Sequence, residues 1–423
     1  MFYYKNNIDK KTNNTNDIIM TQEIKKRSTF MKYKNANVIL PPDLVEEIQK
    51  YIQGEFIYIP KKDKIIHKAN TEYKIELAKR NARIYKMHLE GICNEQLAKN
   101  FSLAQSSIRR IIVEQRKKYE NMYKHIKTIL PYWGLQAENV KQIYGTTWQI
   151  GTDYVLKAYN EPEFLKRNIT INHNLEMMGI PVGKLICTTK GEQFIEDKGH
   201  YFFISKKLKG SNIVNLKFIN KTSELMGEII ANLHTAFVNL QDKVELWDNS
   251  FLDEMNGWVK ESFEESGWQN INKDDYEFIV KKLEKSYNKL PVQLIHRDVH
   301  LGNFLFYKNK FSGYIDFDLS QKNIRIFDLC YFTLSVLSER EKFQIDKEKW
   351  FDFIKNVFTG YNKVLTLTLE EKETAVFVME CIELLFLAYF QKQEDFALAK
   401  YTYDIFKFIH SNEKRITITI NNT

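Results

Sequence analysis

Apolar residues near the front of the chain recur at the spacing of an α-helix. Pro41-Pro42-Asp43 precedes a segment whose apolar residues share one stripe, namely Leu44, Val45, Ile48 and Ile52. Gly54 ends this predicted helix, and residues 55–60 alternate like a short strand. A longer helix is predicted over about residues 72–89, and it ends at Gly91.

Two further helices follow the long one, with a tight turn at 102–104 between them. The first is the short segment NEQLAKNF and the second is the basic segment SSIRRIIVEQRKK. A long helix, a short helix, a short turn and a basic helix form the pattern of a helix-turn-helix. An interaction bundle with an exposed pair of arginines is the alternative.

The basic helix has the side chains that a recognition helix needs. Short polar residues at its start suit base edges and arginines suit phosphates, and the candidates are Gln105, Ser106, Ser107, Arg109 and Arg110. Its isoleucines, Ile108, Ile111 and Ile112, are expected to pack inward. Ser102 and Gln105 could form a capping box. We therefore predict DNA binding through this helix.

From residue 131 onward the pattern changes to short alternating segments and turns, starting at Pro131 and Gly134. QIYGTTWQIGTDYVLKAY predicts two strands around the turn at 151–153, after a bend at Gly145, Thr146 and Thr147. Val155 and Lys157 share a face of the second strand because side chains alternate with period two. We expect Lys157 to reach nucleotide phosphates, Val155 to cover the adenine, and the backbone of 203–208, ending at Leu208, to face the adenine edge.

The strongest chemical pattern is HRDVHLGN after the apolar strand VQLI, followed by FLFYKNKFSGYIDFD. A hairpin with its midpoint between residues 309 and 310 would set Asn303 opposite Asp316. Amide and carboxylate oxygens suit Mg²⁺. Asp298 precedes this pair and is expected to orient the proton of an acceptor hydroxyl, which is the chemistry of phosphoryl transfer. The alternative is a turn rich in Asp and Asn without a catalytic role.

Composition and charge restrict the class of protein. The chain has 423 residues, 43% of them hydrophobic, and a net charge of +8. Residues 1–130 hold 26 of the 62 Lys and Arg but only 14 of the 54 Asp and Glu. A basic front on a slightly acidic body indicates that the front binds a polyanion. The alternative is that the front is only a solvated, lysine-rich surface. Four scattered cysteines and no membrane-spanning run indicate a cytoplasmic protein without a membrane partner.

The order of these motifs resembles the aminoglycoside phosphotransferase and choline kinase family. The lysine strand, the helix before GIPV, the linker strand, a helix with Leu233-His234, HRDVHLGN and IDFD cover about residues 135–400. The resemblance implies an α+β, bilobal protein-kinase-like fold with a small β-rich lobe and a mostly helical lobe. It implies ATP and Mg²⁺ as cofactors, with Asp298 as catalytic residue, Asn303 and Asp316 as metal ligands, and Lys157 as phosphate-binding lysine.

Two positions depart from that family. The helix glutamate that pairs with the lysine is replaced by Asn168, for which Glu163 or Glu176 could substitute. Asp318 stands where many members have glycine, and we interpret it as a surface acid in preference to a second metal contact.

The acceptor is expected to be the hydroxyl of a small molecule. About a dozen residues separate Asp316 from the next helix, which leaves no room for the activation segment of a protein kinase. Trp258 and Glu261, one helical turn apart, could bind a cationic substrate. The C-terminus, KRITITINNT, lacks the carboxylates that an aminoglycoside would need. An amino alcohol or sugar is favoured over an antibiotic.

The front also resembles a known family, the Mor transcription activators, over about residues 38–118. That resemblance implies an all-α helix-turn-helix domain, DNA as partner and a homodimer. The predicted domains are a polar tail at 1–30, the DNA-binding-like domain at 31–130, the small kinase-like lobe at 131–208 and the large lobe at 209–423. Two functions remain open: a kinase tied to transcription, or a regulator whose kinase-like domain only senses a ligand or nucleotide.

Overall fold

A computed structural model describes nine stretches of the chain. They are residues 42–50, 81–89, 91–101, 103–136, 139–212, 219–243, 250–339, 345–393 and 395–423. The described residues divide into two compact units, with the division between Arg116 and Lys117. Each unit has its own hydrophobic core.

The described part of the first unit consists of helices joined by short turns. Its helices are α1 (Pro42–Gln49), α2 (81–89), α3 (Asn94–Asn100) and the start of α4 (Gln105–Ile129), which extends beyond the predicted segment and into the second unit. Its core contains Ile84, Met87, Leu97, Ile108, Ile111 and Ile112. The three isoleucines of α4 are thus buried as predicted. The predicted strand at 55–60, the start of the long helix and Ser102 lie outside the described residues.

The second unit begins with a small lobe built on one antiparallel sheet. Its strands are β1 (Val140–Tyr144), β2 (Thr147–Ile150), β3 (Tyr154–Tyr159), β4 (Leu185–Ile186), β5 (Ile195–Asp197) and β6 (His200–Lys206). They run in the order β1-β2-β3-β6-β4, and β5 also pairs with β6. Helix α5 (Pro162–Met177) follows β3. Leu156 and Ala158 are buried on one face of β3, so Val155 and Lys157 lie on the other.

The large lobe is mostly helical. Its helices are α6 (Ile219–Val238), α7 (Phe251–Glu254), α8 (Lys260–Glu265), α9 (Lys273–Tyr287), α10 (Ile326–Ser338), α11 (Lys347–Val364), α12 (Leu369–Lys392), α13 (Phe396–Ser411) and α14 (Glu413–Asn421). A π-helical turn, Met255–Val259, joins α7 to α8, and short 3-10 helices cover Gln241–Lys243 and Leu301–Asn303. A further 3-10 helix, Leu130–Trp133, precedes β1 of the small lobe. Strand β7 (Val292–Ile295) pairs with β10 (Gln321–Ile324), and β8 (Phe304–Tyr307) pairs with β9 (Lys310–Tyr314).

The most apolar helix of the large lobe is a core element. Most of α12 is buried, as predicted for residues 375–390, and Thr368 forms a capping box with Glu371 at its start. Within the described stretches, no helix is both long and apolar enough to span a bilayer.

The hairpin register differs by one residue from the prediction. The turn is Lys308-Asn309, with φ of 50° and 63°, so Tyr307 pairs with Lys310. A bulge between Leu305 and Phe306 then shifts the pairing. The residue opposite Asn303 is therefore Ile315, whose N–H donates to the Asn303 carbonyl at 3.1 Å. The predicted pairing of Asn303 with Asp316 is wrong, because the turn position and the bulge each alter the register.

Candidate active site

The loop after β7 places Asp298 in a buried, hydrogen-bonded position. The Tyr331 hydroxyl on α10 donates to Asp298 Oδ1 at 2.9 Å. The Asn303 side chain donates from Nδ2 to the Asp298 carbonyl at 2.8 Å. Burial acts to raise the pKa of the Asp298 carboxyl, whereas His300, His296 and the Tyr331 hydroxyl act to lower it. As a carboxylate, Asp298 can accept a hydrogen bond from an alcohol.

Asp328, at the start of α10, braces the same loop from behind. Its carboxylate is fully buried and accepts from the backbone N–H groups of His296, at 2.8 Å, and Arg297, at 2.9 Å. His234 Nε2 on α6 lies 3.0 Å from Asp328 Oδ2, and His234 Nδ1 lies 2.8 Å from the Tyr361 hydroxyl. One buried carboxylate thus joins two helices to the backbone just before Asp298.

Replacing Asp328 with asparagine should destabilise the chain and lower activity together. The amide N–H group would face backbone N–H donors, and the buried network would lose its negative charge. We expect these effects to lower the free energy of unfolding by about 3 kcal/mol. Thermal unfolding and kcat measure the two effects. Asp352→Asn, at an exposed position on α11, is the control and should change stability by less than about 0.5 kcal/mol. A variant as stable as the control would contradict the bracing role.

Arg297 forms two side-chain contacts beside the loop that carries Asp298. Its guanidinium pairs with Glu254 at the end of α7 and lies 3.7 Å from the centre of the Phe327 ring. Its φ of 69° is uncommon for a residue with a side chain. Both contacts hold the backbone at the residue before Asp298.

Lys157 on β3 reaches from the small lobe to the segment after the hairpin. Its Nζ donates to Asp316 Oδ1 at 2.7 Å and to Asp318 Oδ2 at 3.1 Å. Burial acts to lower the pKa of the Lys157 ammonium, but Tyr159, Asp316 and Asp318 raise it well above its ordinary value. The side chain is 15% exposed and permanently charged at neutral pH. It is suited to bind phosphate oxygens.

The Asp318 side chain is 37% exposed, but it is held in a hydrogen-bonded cluster, which the interpretation as a surface acid did not predict. Besides Lys157, it accepts from the Tyr159 hydroxyl at 2.7 Å and from Asn168 Nδ2 at 2.5 Å. Burial acts to raise the pKa of the Asp318 carboxyl, but Lys157 and these hydrogen bonds lower it. The side chain folds back into the small lobe because three donors converge on it.

The glutamates considered as substitutes for the helix glutamate lie elsewhere. Glu176 pairs with Lys184 at 3.5 Å, and Glu163 is exposed. Within the part of the chain that the structure describes, the carboxylates that contact Lys157 are those of Asp316 and Asp318.

Asn303 and Asp316 have the chemistry of a magnesium site. The Asn303 side chain uses its nitrogen on the Asp298 carbonyl, which leaves its oxygen as the atom that can bind a cation. Asp316 follows β9 with φ of 70°, a strained conformation of the kind found at functional sites. An amide oxygen and a carboxylate oxygen on adjoining chain segments fit a hard divalent cation.

The predicted nucleotide residues lie at both ends of the strand that carries Lys157, with the turn at Gly145 and Thr146 beside Ala158 and Leu208 beyond Tyr154. Gly145 and Thr146 form the turn between β1 and β2, and Thr147 is the cross-strand partner of Lys157. Val155 is half-buried on the same face as Lys157. Leu208 follows β6 and is half-buried.

The predicted DNA-contacting residues lie on the first turns of α4. Gln105, Ser106, Arg109 and Arg110 are exposed and Ser107 is half-buried, whereas Ile108 is fully buried. Arg110 lies 3.9 Å from Glu114.

Three residues of the site had no assigned role in the sequence analysis. Tyr159 lies two residues after Lys157, so the period of the strand could have placed it on the same face. Tyr331 and Asp328 are buried positions of α10, and neither belongs to a local motif that would signal a contact with the loop that carries Asp298.

A family profile described as the phosphotransferase enzyme family matches residues 138–356 of this chain. Homoserine kinase of Zymomonas mobilis is 25% identical over 255 residues, which is 58% of this chain and 77% of that protein. The uncharacterized protein YraL of Bacillus subtilis is 38% identical over 84 residues, which is 19% of this chain and 97% of that protein.

A solved structure has the same fold as the second unit. The amicoumacin kinase hAmiN, in complex with AMP-PNP, Ca²⁺ and Ami, has a TM-score of 0.54 at 16% identity, covering 70% of this chain and 95% of that one. The predicted kinase-like fold, with a β-sheet small lobe and a helical large lobe, is confirmed.

Proposed function

The chain belongs to the phosphotransferase enzyme family, and from this premise we propose that it transfers a phosphoryl group from ATP to the hydroxyl of a small molecule with Mg²⁺. The observation that carries the proposal is the contact of Lys157 with Asp316 at 2.7 Å, since it brings the lysine of one lobe to a carboxylate of the other. Phosphoryl transfer needs cationic groups at the phosphates and an oriented acceptor rather than covalent attack.

Each residue has a defined part in this proposal. Lys157 binds phosphate oxygens, Asn303 and Asp316 hold the magnesium ion, and Asp298 orients the acceptor hydroxyl and takes its proton. Bound Mg²⁺ supplies charge neutralisation at the phosphates. Nucleotide contacts are assigned to the turn and the sheet face around the lysine, at Gly145, Thr146, Thr147, Val155 and Leu208.

The connection after Asp316 supports a small-molecule acceptor. Strand β10 begins at Gln321 and α10 at Ile326, so the residues that hold a peptide substrate in protein kinases have no counterpart here. Homoserine kinase, one of the relatives, is named for an amino acid with a hydroxyl group, and hAmiN was solved with Ami. We propose an amino alcohol, a sugar or an antibiotic as the substrate class.

ADP release with a panel of hydroxyl compounds tests the activity. The panel, offered with Mg²⁺ and ATP, contains choline, ethanolamine, aminopropanol, homoserine, simple sugars and aminoglycosides. ADP release should require the presence of one chemical group of these compounds. A chain that binds MgATP but phosphorylates none of them, nor water, would favour the alternative of a ligand-sensing regulator.

For the first unit we propose a helix-turn-helix that binds DNA. The support is the division of α4 into buried isoleucines and an exposed polar, basic face. We propose 1–30 as a tail, 31–130 as this domain, 131–208 and 209–423 as the kinase-like lobes, and a cytoplasmic homodimer. The division between the compact units falls earlier than residue 130, between Arg116 and Lys117.

Replacing Arg109 or Arg110 with alanine should weaken DNA binding and its dependence on salt. Removing one arginine–phosphate interaction reduces the slope of log affinity against log salt by about one unit. Gel shifts with mixed DNA fragments between about 25 and 200 mM salt measure this slope. Lys349→Ala, which removes an exposed charge from the second unit, should leave the slope unchanged. Wild-type protein that shifts no DNA at low salt would rule out the DNA-binding role.

A further inference from the structure

A carboxylate outside the predicted catalytic and metal-binding set contacts Lys157. Asp318 Oδ2 accepts from Lys157 Nζ at 3.1 Å, and its Oδ1 accepts from the Tyr159 hydroxyl and from Asn168 Nδ2. The three donors come from β3 and α5. This carboxylate therefore links the lysine strand to the helix that follows it.

The contacts of Asn168 determine which end of its amide faces Asp318. Asn172 Nδ2, one turn along α5, donates to Asn168 Oδ1 at 2.6 Å. Because that oxygen is used, the nitrogen is the end that faces the carboxylate. Asn168 is 2% exposed, so its amide is held in this direction by packing as well. It can orient a carboxylate, but as a neutral group it cannot balance the charge of a lysine.

We propose that Asp318 is the positioning residue for Lys157, and that it takes over the task of the helix glutamate that Asn168 replaces. The inference rests on the proposed function, in which Lys157 binds the phosphates of ATP. The resembled family usually has a glutamate on the helix, and many of its members have a glycine after the hairpin, whereas this chain has an amide and a carboxylate at these positions. The charge is the same but has moved across the site.

Asp316 cannot perform this task alone. Its carboxylate also contacts Lys157, but the proposed reaction requires the same group for the magnesium ion. Asp318 lies two residues further along and has Tyr159 and Asn168 as additional donors, so it keeps its orientation toward the lysine independently of Asp316. Asp318 can thus hold the lysine that must meet phosphate oxygens while Asp316 binds the magnesium ion.

Equilibrium binding of MgATP and of adenosine to the full chain tests the inference. Asp318→Asn should weaken MgATP at least about tenfold, the loss expected when a charged hydrogen-bond partner is removed. Adenosine has no phosphates, so its affinity should stay within about twofold. In a Lys157→Met background, Asp318→Asn should cause little further loss of MgATP affinity, because both changes disrupt one interaction.

A compensating exchange gives a second, independent test. Asp318→Gly alone and Asn168→Glu alone should each weaken MgATP, the latter because two carboxylates would then face each other. The double variant Asn168→Glu with Asp318→Gly should recover affinity to within about threefold of wild type. Tyr159→Phe, which removes one donor to Asp318, should cost only a few-fold, and Asp352→Asn serves as the exposed control.

The outcomes separate this inference from the proposed function. Wild-type chain that fails to bind MgATP would overturn both. Wild-type binding that is unaffected by Asp318→Asn, or a double variant no better than its single variants, would overturn the inference alone. An equal loss of adenosine and MgATP affinity would also overturn it, since that pattern indicates a general structural defect.

Discussion

Asp298→Asn should lower kcat by about 10²- to 10⁴-fold while leaving the affinity for MgATP within about threefold of wild type. The asparagine is nearly isosteric and its oxygen can still accept the Tyr331 hydrogen bond, so the loop should keep its shape. What disappears is the anionic acceptor for the substrate hydroxyl. Steady-state kinetics together with nucleotide binding separate the two quantities.

The control for this variant is an aspartate far from the site in sequence. Asp404 on α13 is exposed and pairs with Lys407, so Asp404→Asn should leave kcat unchanged. Equal activity of Asp298→Asn and wild type would remove Asp298 from the reaction. A parallel loss of MgATP affinity and thermal stability would instead point to a structural role for the residue.

Gly360→Ala should strongly destabilise the large lobe. A Cβ at Gly360 on α11 would lie 1.9 Å from the Glu224 carbonyl oxygen on α6, and one at Gly227 on α6 would lie 1.9 Å from the Val357 carbonyl oxygen on α11. Both clashes are with backbone, which cannot rotate away. The two helices must therefore separate, and we expect a loss of about 3 kcal/mol, or a fall in Tm of about 5–10 °C.

The measurement is thermal unfolding of Gly360→Ala and Gly227→Ala beside Lys355→Ala. Lys355 is exposed on the same helix, so its replacement should have little effect. Helix propensity alone would make Gly→Ala stabilising by about 1 kcal/mol. The sign of the change in thermal stability therefore distinguishes the two expectations. A Gly360→Ala variant more stable than wild type would mean that the backbones of α6 and α11 are not in close contact.

Residues close in sequence were predicted correctly because local patterns determine their arrangement. The alternation around the turn at 151–153 defined β2 and β3 and put Val155 and Lys157 on one face. Helical spacing identified the buried isoleucines of α4 and the buried α12. The order of the lysine strand, HRDVHLGN and IDFD was enough to predict the kinase-like fold. The catalytic role of Asp298 and the metal-binding role of Asn303 and Asp316 remain predictions.

The hairpin illustrates a limit of such local patterns. Its existence followed from two alternating segments and a polar turn, but its register depended on a turn one residue earlier than expected and on a bulge. Neither feature has a strong sequence signal, since no glycine stands at the positive-φ positions Lys308 and Asn309.

The sequence by itself determined the two-lobed fold, the lysine strand and the position of the HRDVHLGN loop, because each depends on neighbours within one or two elements. Only the tertiary structure decided the partner of Lys157 and the support of the loop. Asp318 meets Lys157 across 161 positions of sequence, and Asp328 meets His234 across 94. The physical reason is that a carboxylate binds whichever donors folding brings to it. Asp318, which the sequence suggested was a surface residue, contacts three donors that are far from it in sequence.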